Sequence, residues 1–397
     1  MKQICVLGLG YIGLPTCSIL ASRGHQVLGV DISQKVVDTI NSGNIHITEP
    51  DLDVFVKAAV QSGKLKASTT PAPSDVFIIS VPTPFKDDKK PDMSFVETAV
   101  RSILKHLSKG NLVVLESTSP PQTCTNIIAP IIKEAGFEPG RDIFIAHCPE
   151  RVLPGQIMRE VVENDRIIGG INKESAEMAK DLYSTFVKGQ IFTTDSTTAE
   201  MVKLVENSFR DVNIAFANEL SIICSKLGLD VWELIRLANL HPRVNILRPG
   251  PGVGGHCIAV DPWFIVDTCP VESRLIKSAR LVNDSKPLYV VEQIMEKADR
   301  FKNATIGILG LAYKQDIDDL RESPAIKIAA EIKKRHKGTL MVCEPYCHQH
   351  VDFDLFPLEE VLEKSDIIVL LVGHKQFKAI DKDILKSKVV IDTCGIW

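Results

Sequence analysis

"ICVLGLGYIG", Ile4 to Gly13, and "IGILGLAYKQ", Ile306 to Gln315, carry one pattern twice, and their pairing decides the fold. In the first copy an apolar, β-branched run ends in Gly8-x-Gly10-x-x-Gly13, and a helical pattern begins near Ile12. The first glycine permits a tight turn, the second lets backbone approach a pyrophosphate, and the third lets helix pack on strand. In the second copy Gly310 stands where Gly8 stands, but Ala312 replaces Gly10 and Gln315 replaces Gly13. That copy predicts the same strand and turn without the same phosphate cradle.

Two further echoes follow in the same order. "SDVFIISV" at Ser74 to Val81 returns as "SDIIVLLV" at Ser365 to Val372, and "NLVVLEST" from Asn111 returns as "SKVVIDTC" from Ser387. Short β-branched runs alternating with amphipathic stretches read as βαβ units on a parallel sheet. Between the copies, Ser196 to about Leu227 forms one uninterrupted helical pattern. The expected class is α/β, with two Rossmann-like parallel-sheet domains joined by a central helical region with one long helix. The expected boundaries are a nucleotide-binding domain over 1–194, a helical region over 195–300 and a second sheet domain over 301–397.

At 397 residues the chain is long enough for two or three cores. Its net charge of −4, with both signs interspersed, offers no polybasic patch to nucleic acid or a membrane. Met1-Lys2 runs straight into the strand-like Ile4 to Leu7, so a cytoplasmic protein is expected. Ten cysteines without regular spacing argue against a disulfide framework. "CEPYCHQH", Cys343 to His350, holds two thiols and two imidazoles but lacks the long interval between zinc-ligand pairs, and no metal is expected.

Asp31 ends the second strand, where a carboxylate can accept from a ribose diol. With no arginine beside it for a 2′-phosphate, NAD is the expected cofactor. In the second copy Lys314 and Arg321 suit an acidic group held in another way. "RPGPGVGGHCIAVDPWF", Arg248 to Phe264, places Cys257 behind glycines 252, 254 and 255, which are read as giving a bulky ligand access to the backbone. Such a thiol can trap an aldehyde and pass through a thioester. Asp261-Pro262 reads as an N-cap followed by an N1 proline. On the long helix Lys203, Asn207 and Arg210 recur at i, i+4 and i+7, so they share a face that could supply charge and donors to an oxyanion.

With "GLGYIGLP", "VPTPF", "ESTSPPQT", "CPERVLPG", "AEMVKLVENSFRDVNIAFANEL", "NLHPRVNILRPGPGVGGHCIAVDPWF" and "GLAYKQDIDDLRESPA", essentially the whole chain resembles the UDP-glucose/GDP-mannose dehydrogenase family. The resemblance implies oxidation of a sugar C6 alcohol to a carboxylate with two NAD per turnover. "CPERVLPG", "HPRVN" and "GPGVGGHCIAVDPWF" are most like members acting on a UDP-N-acetylhexosamine. UDP-N-acetyl-D-mannosamine is the leading substrate and UDP-N-acetylglucosamine the alternative, the product being of the kind used in surface polysaccharides.

Carried over position by position, the resemblance implies that Cys257 is the nucleophile and Lys203 the catalytic lysine. Asn207 and Asp261 support them, Glu150 assists thioester hydrolysis, and Thr118 orients water. Gly8, Gly10, Tyr11, Ile12, Gly13, Asp31, Thr83, Thr118 and Arg321 fall on cofactor positions. Arg151, Val152, Lys203, Asn207, Arg210, His241, Arg243, Gly254, Tyr313 and Lys314 fall on substrate positions. A homodimer is also implied, with Arg243 reaching the neighbouring subunit's site. On the residues alone, a two-electron alcohol dehydrogenase and a non-catalytic nucleotide-sugar sensor stay open.

Overall fold

The computed structural model describes residues 1–397 except 87, 256 and 348–351, so the histidines of the Cys343–His350 stretch lie outside the described residues. The chain divides into two compact units, 1–206 with 263–268, and 207–262 with 269–397.

The first unit is built on β1 (Gln3–Leu7), β2 (Gln26–Val30), β3 (Leu65–Ser68), β4 (Val76–Ile79), β5 (Asn111–Leu115), β6 (Ile143–His147), β7 (Arg166–Gly170) and β8 (Ile191–Asp195). Their order is β3-β2-β1-β4-β5-β6-β7-β8. The strands of the nucleotide-binding half are parallel, and β1 and β4 are buried along nearly their whole length because helices cover both sheet faces. One apolar cluster, including Val6, Leu14, Leu20 and Ile78, fills one face, and another, including Leu7, Phe77, Val100 and Ile132, fills the other.

The expectation of an all-parallel sheet fails at one place. β7 pairs antiparallel with β6 through Ala146↔Gly170 and His147↔Gly169. After His147 the chain forms the Cys148–Gln156 loop and the helix Ile157–Glu163 without a full crossover, so β7 returns in the opposite direction.

In the second unit β9 (Ile306–Leu309), β10 (Leu340–Cys343), β11 (Ile367–Leu370) and β12 (Val389–Asp392) form a parallel sheet in the order β10-β9-β11-β12. This is the order β2-β1-β4-β5 of the first sheet, with each sequence echo in the corresponding place. The long helix runs over Ser196–Leu227, and helix Arg274–Ala298 packs on the second sheet's core through Val290, Val291 and Ile294.

Candidate functional site

In the first unit the glycine turn has the steric form its sequence requires. Gly8 has φ +93°, and a Cβ there would lie 2.4 Å from the Ser80 carbonyl oxygen. A Cβ at Gly13 would lie 1.9 Å from the Gly8 carbonyl oxygen, so the helix Gly13–Ser22 can start against the turn only without a side chain. A Cβ at Gly10 would meet nothing within 4 Å, which leaves the space a pyrophosphate needs. Tyr11 is exposed and Ile12 half-buried beside that space. Asp31 sits past β2 with its carboxylate oriented by the N–H groups of Leu9 (3.1 Å) and Ser33 (2.9 Å). Thr83 and Thr118 come together across 35 residues, the Thr83 hydroxyl donating to the Thr118 carbonyl at 2.7 Å. These residues fit NAD.

Glu150 is no surface carboxylate. It is buried, accepts from the Arg166 guanidinium at 2.6 Å and from the Arg151 N–H at 2.8 Å. Arg166 also lies over the Tyr183 ring, and the Tyr183 hydroxyl donates to Glu116, which accepts from Ser80 as well. Burial raises the pKa of Glu116, while the buried Arg166 guanidinium donates to Glu150. The sequence reading missed Arg166, Glu116 and Tyr183, whose partners lie far away in the chain. Arg151 directs its guanidinium to Glu206 (2.7 Å), and Val152 packs on the core. Lys203 is half-buried on the long helix.

In the second unit Asn207 and Asp261 are joined directly, the amide donating to the buried carboxylate at 2.5 Å. The Asp261 N–H donates to the Cys257 carbonyl at 2.8 Å, so thiol-bearing residue and carboxylate stand one helical turn apart. This corrects the N-cap reading: Asp261 already belongs to the helix Asp261–Thr268. Pro262 is tolerated because first-turn residues need no intrahelical N–H bond. Cys257 itself is partly exposed.

The glycines ahead of Cys257 also serve a different purpose from the expected one. A Cβ at Gly254 would lie 2.7 Å from the Glu322 carbonyl oxygen, and one at Gly255 would lie 2.9 Å from the Tyr313 ring. At Gly252 it would lie 2.9 Å from Pro324. The backbone is thus approached by the protein's own 310–324 segment, and the Gly255 N–H donates to the Arg321 carbonyl at 3.1 Å. Burial raises the Tyr313 hydroxyl's pKa, with Asp319 and Cys257 adding to the effect. Arg321 pairs with Asp319 at 2.6 Å.

Behind the loop runs a buried polar chain. Asn218 accepts from the Gly250 N–H (2.8 Å) and donates to Asn283 (2.8 Å), and Asn283 donates to Asp211 (2.8 Å). Asp211, fully buried, pairs with Arg280 at 2.6 Å. It anchors the loop to the long helix.

Beside the loop, a cleft of about 430 Å³ is lined by Arg248, Tyr313, Lys314, Gln315, Lys378 and Cys394, among others, with no carboxylate among the described lining residues. Arg248 is held by the carbonyls of Cys394 and Gly395 and lies over the Trp232 ring. Neither Arg248 nor Lys378 was singled out from sequence, although Arg248 opens the glycine loop. Arg210, His241 and Arg243 are exposed.

The chain matches the UDP-glucose/GDP-mannose dehydrogenase family in its NAD-binding domain over residues 2–187, its central domain over 197–285 and its UDP-binding domain over 307–397. It is 55% identical over 409 residues to an NDP-N-acetyl-D-galactosaminuronic acid dehydrogenase of Ralstonia nicotianae, covering 100% of this chain and 96% of the relative. It is 53% identical to the UDP-N-acetyl-D-mannosamine dehydrogenase of Escherichia coli, covering 99% of each. The solved UDP-D-ManNAc dehydrogenase of Pyrococcus horikoshii is similar with a TM-score of 0.91 at 43% identity, over 100% of this chain and 96% of that one. No helix among the described residues is long and apolar enough to cross a membrane. The chain belongs to the UDP-glucose/GDP-mannose dehydrogenase family and is an NAD-dependent nucleotide-sugar dehydrogenase.

Proposed function

We propose that the protein oxidises the C6 alcohol of UDP-N-acetyl-D-mannosamine to the carboxylate, in the cytoplasm, for surface polysaccharide synthesis. The observation that carries this reading is the hydrogen-bonded unit of Asn207, Asp261 and Cys257 behind the glycine loop. The relatives named for UDP-N-acetyl-D-mannosamine support the sugar. NAD bound at the Gly8–Gly13 turn supplies a hydride acceptor, and two molecules are consumed in succession.

Lys203 and Asp261 assist removal of the alcohol proton as the first hydride leaves. The Cys257 thiolate then adds to the aldehyde carbon, and Lys203 with the Asn207 amide holds the resulting oxyanion. Loss of the second hydride gives a thioester on Cys257. Water, aided by Glu150 and oriented by Thr118, releases the acid and restores the thiol. The cleft carrying Arg248, Lys314 and Lys378 suits the diphosphate, since cations are gathered there away from acids. Arg151, Val152, Arg210, His241, Gly254 and Tyr313 complete substrate recognition, and Arg321 works near the cofactor.

The working unit is a homodimer in which Arg243 serves the neighbouring subunit's site. Phe209, 71% exposed, with Phe216 and Ile223 at seven-residue intervals, gives the long helix an apolar stripe that supports such an interface.

A second reading has a specific observation behind it. Similarity of 55% to a dehydrogenase named for an N-acetylgalactosaminuronate favours a galacto-configured sugar by the same chemistry. Relative kcat/KM on UDP-N-acetylmannosamine, UDP-N-acetylglucosamine and UDP-N-acetylgalactosamine decides among them. Two NADH per sugar are expected; one NADH with free aldehyde would make the protein a two-electron alcohol dehydrogenase.

A further inference from the structure

Cys124, His147 and Glu200 meet in the interior of the first unit, and none of them has a part in the chemistry above. The Cys124 Sγ, a His147 ring nitrogen and a Glu200 carboxylate oxygen lie within 4.8 Å of one another, and all three side chains are buried. They come from separate elements. Cys124 opens a π-helical turn, Cys124–Ile128, His147 ends β6, and Glu200 lies in the first turns of the long helix. Seventy-six residues separate Cys124 from Glu200, so no sequence spacing announces the cluster.

Its polar groups are badly matched to one another. His147 is wholly buried, and neither ring nitrogen has a hydrogen-bond partner among the described residues. The Leu115 carbonyl, which accepts the Cys148 N–H at 3.0 Å, lies near the ring with a second lone pair for one nitrogen and leaves the other unmatched. Leaving a buried ring nitrogen unpaired is costly, so its placement calls for a partner. Glu200 accepts from the N–H groups of Gln122 (2.6 Å) and Cys124 (2.8 Å), and the Cys124 thiol leans on the same carboxylate. Two acidic groups and a neutral imidazole thus converge with no cation among them.

We propose that Cys124, His147 and Glu200 form a buried site for one zinc-class divalent cation. Thiolate sulfur, imidazole nitrogen and carboxylate oxygen are the zinc donor set. On binding, Cys124 gives up its thiol proton to solvent and Glu200 binds as the carboxylate. The ligands then carry two negative charges, which the ion cancels, and a buried site needs that neutrality. A tetrahedral zinc sets its donors about 3.5 Å apart, so side-chain shifts of about 1 Å close the site, with a water in the fourth position. The nearby Leu115 carbonyl can accept from one ring nitrogen and aim the other at the metal, as ligating histidines commonly require. The ion would tie the π-helical turn and β6 to the long helix three residues before Lys203. Sequence reading expected no metal; this assignment departs from it.

The test is equilibrium dialysis of the full-length protein against Zn2+, followed by metal analysis, together with the absorbance of the Co2+ form. Wild-type protein is expected to retain one equivalent per chain, show a thiolate-to-cobalt band and melt at a higher temperature with Zn2+. Cys257→Ser should retain the metal, because the active-site thiol is not a ligand. Cys124→Ser and His147→Phe should each lose it while keeping the far-ultraviolet spectrum of the wild type. A wild-type protein that retains no zinc overturns the proposal, as does retention unchanged in both ligand variants or lost in Cys257→Ser. A folded His147→Phe that still gives the cobalt band overturns it even if Cys124→Ser fails to fold.

Discussion

At Gly8 and Gly310 the backbone takes the same left-handed conformation, φ +93° and +95°, and the two turns agree to the level of single bonds. The Gly8 N–H donates to Val30 at 2.8 Å and the Gly310 N–H to Cys343 at 2.9 Å. Asp75 receives the Gln3 N–H and Asp366 the Thr305 N–H, both at 2.8 Å. Beyond the glycine the two turns part. In the first, helix begins at Gly13, and the next carboxylate, Asp31, takes one turn N–H and stays half-exposed. In the second, helix waits until Pro324, and Glu344 reaches into the turn to accept from Leu311 (2.6 Å), Ala312 (3.0 Å) and the buried His374 (3.1 Å). The protein's own carboxylate thus also takes the Ala312 N–H, at the position of Gly10. A shared strand framework therefore carries two different turns, decided by a few residues after the glycine.

Gly13 carries the largest difference between the two turns. Gly13→Ala drives a Cβ into the Gly8 carbonyl and should cost about 2–3 kcal/mol of packing at the turn, lowering NAD affinity about thirtyfold or more. Isothermal titration with NAD reads it. Next in size, Glu344→Ala strands two buried N–H groups and His374, and should destabilise the protein by about 2 kcal/mol in urea unfolding. Asp31→Ala should cost about 1 kcal/mol in stability yet weaken NAD about tenfold. That split separates a recognising carboxylate from a structural one.

Glu344 also gives the second turn a response to pH. Burial pushes its pKa up, but the His374 hydrogen bond and the Leu311 and Tyr346 N–H groups outweigh it and hold the carboxyl below its ordinary value of 4.5. A folded pKa below the unfolded one stabilises above the unfolded value and is lost as pH falls through the folded value. The Tm difference between wild type and Glu344→Gln should thus be full above about pH 5 and shrink toward pH 3. The smallest effect belongs to Gln315→Gly. Restoring a glycine there leaves Glu344 in the turn, so NAD should still bind once per chain and stability should change by under about 1 kcal/mol.

The repeated strands and the glycine fingerprint were legible because each is a local pattern of neighbouring residues. The long helix was legible for the same reason. β3 escaped notice because "LKAS" is four residues with alternating burial, and β7 because "RIIGG" ends in glycines and runs backwards. At the site, Cys257, Asn207 and Asp261 could be named from sequence, but not the role of the glycines beside them. Their packing against Tyr313 and Pro324 joins segments far apart in the chain. Arg166, Glu116, Tyr183, Glu344 and His374 were illegible on the same ground, since each gains meaning only from a distant partner.

The proposed chemistry depends on the thiol of Cys257, and the Cys257→Ser variant assayed for NADH and sugar acid tests it most directly. The account predicts NAD binding like that of the wild type, with acid formation reduced by about a thousandfold or more. Acid produced at the wild-type rate, with two NADH per sugar, would contradict it.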